Sequence, residues 1–351
     1  MSTITIIGAG MMGSALAFPA AENKNKVRLV GTHLDREIIK NCKEKYRHPK
    51  FEKNFPGGVS FYQIEELSEA LDGADAVILG VSSFGVEWFK ETILPRLAEN
   101  TVLLSVTKGL LNGEDGTLVS YPEYWETAAK KINKNISFNA VGGPCTSYEL
   151  VAHDHTEVAF CGRNESDLLF LKGLLETEYY HVSVTKDVRG LEAAVALKNG
   201  YALGIALTVG VNQREFGTDS PLHYNSQAAV FYQSVKEMKK LLARFDAEEN
   251  SFFFGAGDLY VTVYGGRTRL VGILLGRGLD IDEAQRELAG VTLESLVVAR
   301  RVAKAVRILS ENGAINKNDF PLLMHIDEIL TEKKSVKIPW KDFSYNDFNR
   351  T

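Results

Sequence analysis

The chain carries a glycine-rich motif close to its first residue, GAGMMG, in which Gly8, Gly10 and Gly13 have the spacing G-x-G-x-x-G. The motif follows a short strand-like run and opens a helix-like one. In that setting the first glycine permits a tight turn, the second lets the backbone approach a pyrophosphate, and the third lets helix and strand pack closely. Free N–H groups at the helix start favour phosphate oxygens. The motif therefore predicts a dinucleotide site that includes Met11 and Met12, with a purely structural turn as the alternative.

The choice between NAD and NADP is left open by the residues that follow the second predicted strand, KVRLVG. An acidic residue about 20 positions after the glycine motif would bind the ribose hydroxyls of NAD. Asp35 lies near that distance, whereas the neighbouring Arg36 could bind the 2′-phosphate of NADP. Both residues are also typical of the solvated start of a helix, so they do not decide the cofactor.

Lys198 stands in an almost wholly apolar segment, LEAAVALKNGYALGIALTVGV, which predicts a buried helix. A charged side chain is costly in such a helix unless it is paired or functional. Lysines that are removed from water can exchange protons near neutral pH. Asn199 follows directly and can orient a hydroxyl or carbonyl group. We therefore predict that both residues are catalytic, and the alternative is a lysine that reaches the surface from one helix face.

A second polar cluster lies in the segment GAGDLYVTVYGGRTR. Asp258 and Thr262 are four residues apart and share one face if the segment is helical. Two glycines, the second of them Gly266, then precede Arg267 and Arg269, whose guanidinium groups can bind a phosphate through paired hydrogen bonds. The pattern therefore indicates an acid and a hydroxyl on one helix face, followed by a candidate phosphate site. A glycine-rich loop with surface arginines is the alternative.

Lys108 ends the segment TVLLSVTKG, directly after another predicted strand. In open α/β sheets, ligands bind outside the carboxyl ends of the strands. Lys108 is therefore a candidate site residue, although a solvated loop lysine would fit the same position.

The histidines and cysteines do not indicate a metal centre. His153 and His155 have a spacing found in metal sites, but no third ligand accompanies them. The three cysteines, Cys42, Cys145 and Cys161, show no C-x-x-C spacing. We predict no metal ion, no nucleophilic triad and a reducing, cytoplasmic compartment.

The elements that must position these residues fall into two groups. Strand-like and helix-like runs alternate through the first part of the chain, which predicts a Rossmann-type, doubly wound parallel sheet in an α/β fold. From about residue 190 the apolar residues recur at helical spacing without strand pairs, which predicts an all-helical C-terminal domain. We predict a dinucleotide-binding domain over 1–189, a helical substrate domain over 190–335 and a polar surface tail over 336–351.

Bulk composition excludes several classes of partner. The chain has 351 residues, a formal net charge of -5 and a sequence pI of about 5.9, so a broad basic surface for nucleic acid is not expected. No signal peptide is expected, because a strand-like run begins almost at the first residue. The longest apolar stretch contains Lys198, which fits a buried core helix better than a membrane span.

The order of the motifs resembles that of the NAD(P)-dependent sn-glycerol-3-phosphate dehydrogenases, in the wider 6-phosphogluconate dehydrogenase-like superfamily. The resemblance runs from residue 3 to about residue 330 and includes, in colinear order, GAGMMGSALA, GADAVILGV, SVTKGL, GGPCTSYELVA, EAAVALKNGYALG, GAGDLYVTVYGGRTRLVGILLGRG and TLESLVVARRVA.

The resemblance implies a role for each site residue. The family's catalytic lysine corresponds to Lys198, with Asn199 beside it. Its second active-site lysine corresponds to Lys108, and its active-site aspartate and threonine correspond to Asp258 and Thr262. The residues that bind the substrate phosphate correspond to Gly266, Arg267 and Thr268. The residue near the nicotinamide end corresponds to Glu294. The implied reaction is hydride transfer between NAD(P)H and dihydroxyacetone phosphate, with Lys198 as general acid or base in a homodimeric enzyme of glycerol phosphate and phospholipid metabolism.

Departures from the family pattern keep other substrates open. Thr268 stands where the family usually has asparagine, and GPCTSYE replaces the usual GPSFAxE, with Glu149 retained. A dehydrogenase of another small phosphorylated or anionic ketose or polyol is therefore the alternative. A further alternative is a non-catalytic NAD(P)H sensor, which the joint presence of Lys198, Asp258 and Arg267 disfavours.

Overall fold

The computed structural model describes residues 1–290 and 293–343, and their contacts form two compact units. Unit 1 comprises Met1–Gly109 and Ser120–Glu192, and unit 2 comprises Leu110–Val119 and the chain from Ala193 onward. The division between Glu192 and Ala193 falls inside one long helix, and the functional domains that the sequence delimits stay a prediction.

Unit 1 is built on an eight-stranded sheet. Its strands are β1 (Thr3–Ile7), β2 (Lys26–Val30), β3 (Val59–Tyr62), β4 (Ala76–Leu79), β5 (Val102–Ser105), β8 (Ser137–Gly142), β9 (Thr156–Cys161) and β10 (Tyr180–Thr185). They lie in the order β10-β9-β8-β5-β4-β1-β2-β3. Every neighbouring pair is parallel except β8 and β9, which run antiparallel. The sheet has the predicted doubly wound character with one reversed pairing.

Helices connect the strands of unit 1. They are α1 (Met11–Glu22), α2 (Arg36–Lys45), α3 (Leu67–Leu71), α4 (Val86–Trp88), α5 (Tyr121–Lys131), α6 (Ser147–Ala152) and α7 (Glu165–Leu175), and a π-helical turn, Phe89–Ile93, continues α4. The sequence predicts that Pro19 kinks or shortens α1. The helix is not shortened, because it continues through this buried residue to Glu22.

The core of unit 1 follows from its central strands. Ile4 and Ile6 of β1 are fully buried, and all four residues of β4 are buried. Continuous apolar runs of this kind are expected where helices cover both faces of a parallel sheet. The rigid sheet fixes the strand ends from which the loops of the predicted dinucleotide site emerge.

Unit 2 is helical apart from one small two-stranded sheet. Its helices are α8 (Val188–Phe216), which begins in unit 1, α9 (Tyr224–Leu242), α10 (Glu249–Val263), α11 (Gly266–Arg277), α12 (Ile281–Glu287), α13 (Glu294–Glu311) and α14 (Pro321–Glu332). The small sheet, absent from the sequence prediction, pairs β6 (Leu110–Asn112) with β7 (Leu118–Ser120). The Arg301 guanidinium on α13 donates to the Leu110 carbonyl, and the Asn112 amide donates to the Arg301 carbonyl.

α8 is the central helix of this unit. Its length and composition would allow it to cross a membrane, but 83% of its most apolar window is buried within the protein. Ala193, Ala196 and Tyr201 belong to one continuous apolar core that also includes residues of α9 to α14. α8 therefore has the burial expected of a core helix, as its lysine-containing sequence predicts.

The first part of the predicted polar surface tail is partly buried in the structure. Val336 and Ile338 are buried in the core of unit 2, and polar Lys337 stands between them in the chain. A short 3₁₀ turn, Trp340–Phe343, follows. The rest of the predicted tail, residues 344–351, lies outside the described residues.

Candidate active site

The glycine motif of unit 1 forms the turn between β1 and α1. Gly8 has φ +108°, and a Cβ atom there would lie 2.8 Å from the Gly80 carbonyl carbon at the end of β4. A Cβ atom on Gly13 would lie 2.2 Å from the Gly8 carbonyl oxygen. Both positions therefore require glycine for the fold itself.

Gly10 has a different environment from the other two glycines. A Cβ atom there would meet only the Gly80 carbonyl oxygen, at 3.9 Å. Gly10 is also the N-cap of α1, and neither a capping side chain nor an acidic residue occupies the first turn. The open N–H groups of Met11 and Met12, the first residues of α1, can therefore receive phosphate oxygens.

A cleft of about 270 Å³ opens beside this turn within unit 1. It lies at the carboxyl ends of β1, β2 and β4, where ligands of doubly wound sheets bind. Its walls are contributed by the glycine turn and by the segments that follow β2 and β4, including Thr32, His33, Leu34, Asp35, Ser82, Phe84 and Trp88. The exposed apolar side chains Leu34 and Phe84 give the cleft surfaces on which a flat ring can pack.

Asp35 is bonded to the protein itself. Its carboxylate accepts hydrogen bonds from the N–H and the hydroxyl of Thr32, both at 2.8 Å, and from the N–H of Ala9 at 3.2 Å. Asp35 therefore ties the segment after β2 to the glycine turn. Arg36 is exposed and forms an ion pair with Glu65. Because both side chains have protein partners, their positions leave NAD and NADP equally open.

Lys108 follows β5 in unit 1, as the sequence predicts. Its ammonium group is 3.4 Å from the carbonyl oxygen of Gly143, which follows the neighbouring strand β8. The backbone around Lys108 is well held, because the Thr107 hydroxyl donates to the Val81 carbonyl at 2.9 Å. On the other side, a Cβ atom on Gly109 would lie 2.4 Å from the Tyr121 hydroxyl oxygen.

Lys198 and Asp258 form a buried ion pair in unit 2. Lys198 lies on α8 and Asp258 on α10, and the Lys198 ammonium group donates a hydrogen bond to the carboxylate Oδ1. Lys198 is 9% exposed and Asp258 is fully buried. The pair places a lysine ammonium group beside a fixed negative charge in a region of low dielectric constant.

Small residues allow this pair to form. A Cβ atom on Gly255 of α10 would lie only 2.7 Å from the Cβ atom of Ala194 on α8. The two helices therefore approach at almost backbone contact. Lys198 lies four residues after Ala194 and Asp258 three residues after Gly255, which places both one turn further along their helices.

Asn199 and Thr262 flank the ion pair. Asn199 is half-buried on α8 directly after Lys198. The Thr262 hydroxyl donates a hydrogen bond of 2.7 Å to the backbone carbonyl of Asp258 one turn earlier. The segment is helical, so Asp258 and Thr262 share a helix face, which was the condition for their predicted association. The structure thus brings Lys198, Asp258 and Thr262 together, and Asn199 is the next residue after Lys198.

The predicted phosphate residues lie at the start of α11. Gly266 has φ +83° and begins the helix, exposed Arg267 follows it, and Thr268 is 8% exposed. No side chain caps this helix end, and its first turn has no acidic residue. The guanidinium of Arg269, by contrast, donates to the Val263 carbonyl at the end of α10 and so has a structural partner. An exposed arginine at an uncapped helix N-terminus is suited to an anion.

The remaining predicted residues are placed as follows. Glu294 is the first residue of α13 and is half-buried, and its proximity to a nicotinamide stays a prediction. His155 Nδ1 lies 3.1 Å from His181 Nε2, and His153 Nε2 lies 3.0 Å from Glu22 Oε1. Across residues 1–290 and 293–343, no three histidine, cysteine or acidic side chains group as metal ligands would.

Sequence reasoning missed the buried acid Glu192, near the start of α8. Glu192 on α8 is 1% exposed, and neither of its carboxyl oxygens has a hydrogen-bond partner within the described part of the chain. Burial raises the pKa of Glu192 to about 8, and the nearby positive charge of Lys108 opposes that rise. The only signal in the sequence was a glutamate at the start of the same apolar segment that singles out Lys198.

Comparison with known families identifies the chain. A model described as NAD-dependent glycerol-3-phosphate dehydrogenase N-terminus matches residues 3–167, and its C-terminus counterpart matches residues 187–341. The chain belongs to the NAD-dependent glycerol-3-phosphate dehydrogenase family. Its fold class and its nature as an NAD(P)-dependent oxidoreductase are thereby confirmed.

Individual relatives agree with this membership. The chain is 33% identical over 336 residues to the NADP(+)-dependent glycerol-3-phosphate dehydrogenase of Archaeoglobus fulgidus, which covers 95% of this chain and 96% of the relative. It is 27% identical over 345 residues to the NAD(P)+ enzyme of Leuconostoc citreum, with 96% and 95% coverage.

Solved structures show the same fold. The glycerol-3-phosphate dehydrogenase of Plasmodium falciparum matches with a TM-score of 0.83 at 20% identity, covering 99% of this chain and 97% of that one. The Coxiella burnetii glycerol-3-phosphate dehydrogenase matches with a TM-score of 0.77 at 24% identity, with 97% of each chain covered.

Substitution of Gly10 separates cofactor binding from folding. Gly10→Ala should fold normally, because its Cβ atom meets no atom closer than 3.9 Å. The added methyl group should weaken NAD(P)H binding roughly tenfold or more, since it stands where the phosphates would approach. Calorimetric titration with NADPH and NADH and a thermal melt measure the two properties.

Gly57→Ala is the matched control, because a Cβ atom there has no neighbour within 4 Å. Wild-type affinity in Gly10→Ala would contradict the assignment of the pyrophosphate to this turn.

Proposed function

We propose that the chain catalyses reversible hydride transfer between NAD(P)H and dihydroxyacetone phosphate, forming sn-glycerol 3-phosphate, with Lys198 as the general acid and base. The observation that carries this proposal is the buried Lys198–Asp258 ion pair with Asn199 and Thr262 beside it. The homodimer and the cytoplasmic location implied by the sequence are part of the same proposal.

The glycine turn and its cleft fit a dinucleotide. Gly10 leaves open space in front of the uncapped start of α1, and the first N–H groups of that helix, including those of Met11 and Met12, would hold the pyrophosphate. Leu34 and Phe84 would pack against the adenine ring. When bound, the reduced nicotinamide supplies the hydride. Glu294 is the residue that we assign to the nicotinamide end.

Lys198 acts on the carbonyl oxygen of the substrate. As hydride reaches the ketone carbon, negative charge develops on the carbonyl oxygen, and the Lys198 ammonium group stabilises that charge and donates a proton to it. The reverse reaction takes the proton back from the alcohol. Asp258 holds the ammonium group in place, and the buried setting strengthens the interaction between the two charges. Asn199 orients the substrate oxygen, and Lys108 acts as a second active-site cation.

The start of α11 would hold the substrate phosphate. Arg267 provides paired N–H donors, and the uncapped N–H groups of Gly266 and Thr268 add the positive end of the helix dipole. Fixing the phosphate limits the positions that the ketone can adopt, which increases the rate by orientation. The charged anchor also explains why a small phosphorylated ketone would be preferred over its unphosphorylated analogue.

Two substitutions at Lys198 distinguish proton transfer from simple charge stabilisation. Lys198→Arg keeps a cation for Asp258 but holds its proton at every accessible pH, so turnover should fall by at least about 100-fold. Lys198→Met loses the charge as well and should be less active still. Both variants should bind NADPH with near wild-type affinity, measured by calorimetric titration.

The matched control is Lys304→Met, since Lys304 is exposed on α13. Turnover of Lys198→Arg within a few-fold of the wild type would remove Lys198 from the role of proton donor. Loss of cofactor binding in both Lys198 variants would show that the substitutions act on folding instead.

Arg267 is expected to select for the phosphate. Arg267→Ala should raise KM for dihydroxyacetone phosphate about 10- to 100-fold, the cost of losing charge-assisted hydrogen bonds. The rate with unphosphorylated dihydroxyacetone should stay the same. Arg267→Lys should be intermediate, because lysine provides a point charge without the planar pair of donors.

Arg277→Ala, at the other end of α11, serves as the control because Arg277 is bonded to Gln213. If Arg267→Ala lost activity equally with dihydroxyacetone phosphate and with dihydroxyacetone, that result would contradict phosphate recognition by this side chain.

A further inference from the structure

The segment that follows α14 lies against the core of unit 2 without forming a helix or a strand. Residues 335–339, here called the strap, lead from the end of α14 to the 3₁₀ turn Trp340–Phe343. Val336 and Ile338 are buried in the apolar core, at 5% and 8% exposure, whereas Lys337 between them is exposed. Apolar burial therefore holds the strap against the helices of unit 2.

A hydrogen bond also attaches the backbone of the strap to α14. The N–H of Lys337 donates to Nε2 of His325 at 3.1 Å, and His325 is only 9% exposed. A backbone N–H can only donate, so the ring nitrogen that receives it must carry a lone pair and no proton. The strap is therefore attached in this way only while the His325 ring is neutral.

The other nitrogen of the ring faces an acid. In the neutral ring the proton lies on Nδ1, which is 3.9 Å from Glu328 Oε2 one turn further along α14. Glu328 Oε1 also forms an ion pair of 3.0 Å with Lys334. Burial lowers the pKa of His325, the negative charge of Glu328 opposes that change, and the positive charge of Lys334 adds to it. The ring is therefore neutral at neutral pH and gains a proton in acidic solution.

Further charged groups surround His325 on the neighbouring elements. The cavity beside it is lined by Arg307 and Glu311 of α13, Lys317 of the 3₁₀ turn Lys317–Asp319, Glu328 and Glu332 of α14, and Asp342 after the strap. On α9, Glu237 accepts the N–H groups of Leu322 and Leu323, at 2.9 and 3.1 Å. Burial raises the pKa of Glu237 to about 7, so this acid also changes charge near neutrality. A test of His325 must therefore leave Glu237 unchanged.

We propose that His325 and Lys337 form an acid-sensitive latch, in which protonation of His325 Nε2 breaks its hydrogen bond to the strap and increases the fraction of molecules whose strap is open. A protonated Nε2 and the Lys337 N–H are two donors that face each other. Val336 and Ile338 still favour the closed strap, so acid shifts the balance between two forms and does not release the strap from every molecule. The latch is independent of the reaction proposed above.

Opening of the strap uncovers apolar surface beside α8. Val336, Ile338 and Trp340 line a cavity of about 330 Å³, and Val211 and Asn212 near the end of α8 line the same cavity. An open strap removes its side chains from this cavity and exposes apolar groups to water. The latch therefore makes the apolar surface that unit 2 presents depend on pH.

Hydrogen–deuterium exchange of the full chain, followed by NMR, tests the latch. The protection factor of the Lys337 amide is the intrinsic exchange rate divided by the measured rate, and it is determined from about pH 8 to about pH 5. In the wild type it should fall about fivefold as His325 gains its proton, which is the contribution of one hydrogen bond. The amide of Tyr201, inside buried α8, should keep its protection. An unchanged protection factor at Lys337, or an equal loss at Tyr201, would overturn the latch.

Substitutions of His325 assign the pH dependence to this side chain. His325→Gln keeps a neutral acceptor that does not titrate, so the protection factor of Lys337 should be independent of pH, although Glu237 still titrates in this variant. His325→Leu has no acceptor and should show the low protection of the acidic wild type at every pH. His155→Gln, at an exposed histidine of unit 1, is the matched control and should behave as the wild type. A pH dependence that persists in His325→Gln would overturn the latch.

A substitution at the surface tests the same latch with His325 in place. Lys334→Gln removes a positive charge that lowers the pKa of His325, so the loss of Lys337 protection should begin at a higher pH than in the wild type. Lys130→Gln, at an exposed lysine of unit 1, is the control and should leave the midpoint unchanged. An unmoved midpoint in Lys334→Gln would contradict the role of His325.

Discussion

The buried ion pair between Lys198 and Asp258 is the constraint on which the packing of unit 2 depends. Two charges inside an apolar helical core lose their hydration, and their mutual attraction repays that loss only when the geometry is close. The contact of Gly255 with Ala194 provides that closeness, since any side chain at residue 255 would separate α8 from α10. The packing of these helices through small residues and the burial of the Lys198–Asp258 pair are therefore one structural feature.

The predicted dinucleotide site of unit 1 depends on backbone geometry. Gly8 and Gly13 are glycines because neighbouring backbone atoms leave no room for a Cβ atom, whereas Gly10 leaves open space at an uncapped helix start. The same device recurs at the start of α11, where Gly266 precedes Arg267. In both places a helix N-terminus is kept free of acidic and capping side chains, which is the condition for binding a phosphate.

The sequence predicted those features whose signal is local. The glycine spacing, the strand–helix alternation and a lysine in an apolar run indicated the fold class and the central helix directly, and the colinear motifs indicated the family. Asp258 and Thr262 could be associated only on condition that their segment was helical, and the partner of Lys198 required the tertiary contact of α8 with α10.

Features that depend on long-range contacts could not be read from the sequence. The small sheet of β6 and β7 is held by hydrogen bonds to Arg301, far along the chain, and the burial of Val336 and Ile338 depends on the assembled core of unit 2. The bonds that the Asp35 carboxylate accepts from Thr32 and Ala9 together join segments far apart in the chain, so the sequence did not indicate them. The burial of Glu192 likewise follows from tertiary packing.

The central claim is that this site reduces a small phosphorylated ketone. The most direct test follows the loss of reduced-nicotinamide absorbance when the purified wild-type protein is given dihydroxyacetone phosphate, with NADH and NADPH offered in parallel and unphosphorylated dihydroxyacetone as the comparison. The account predicts rapid oxidation of at least one cofactor with the phosphorylated ketone and little with its analogue. No oxidation of either cofactor, in folded protein that binds them, would contradict the account.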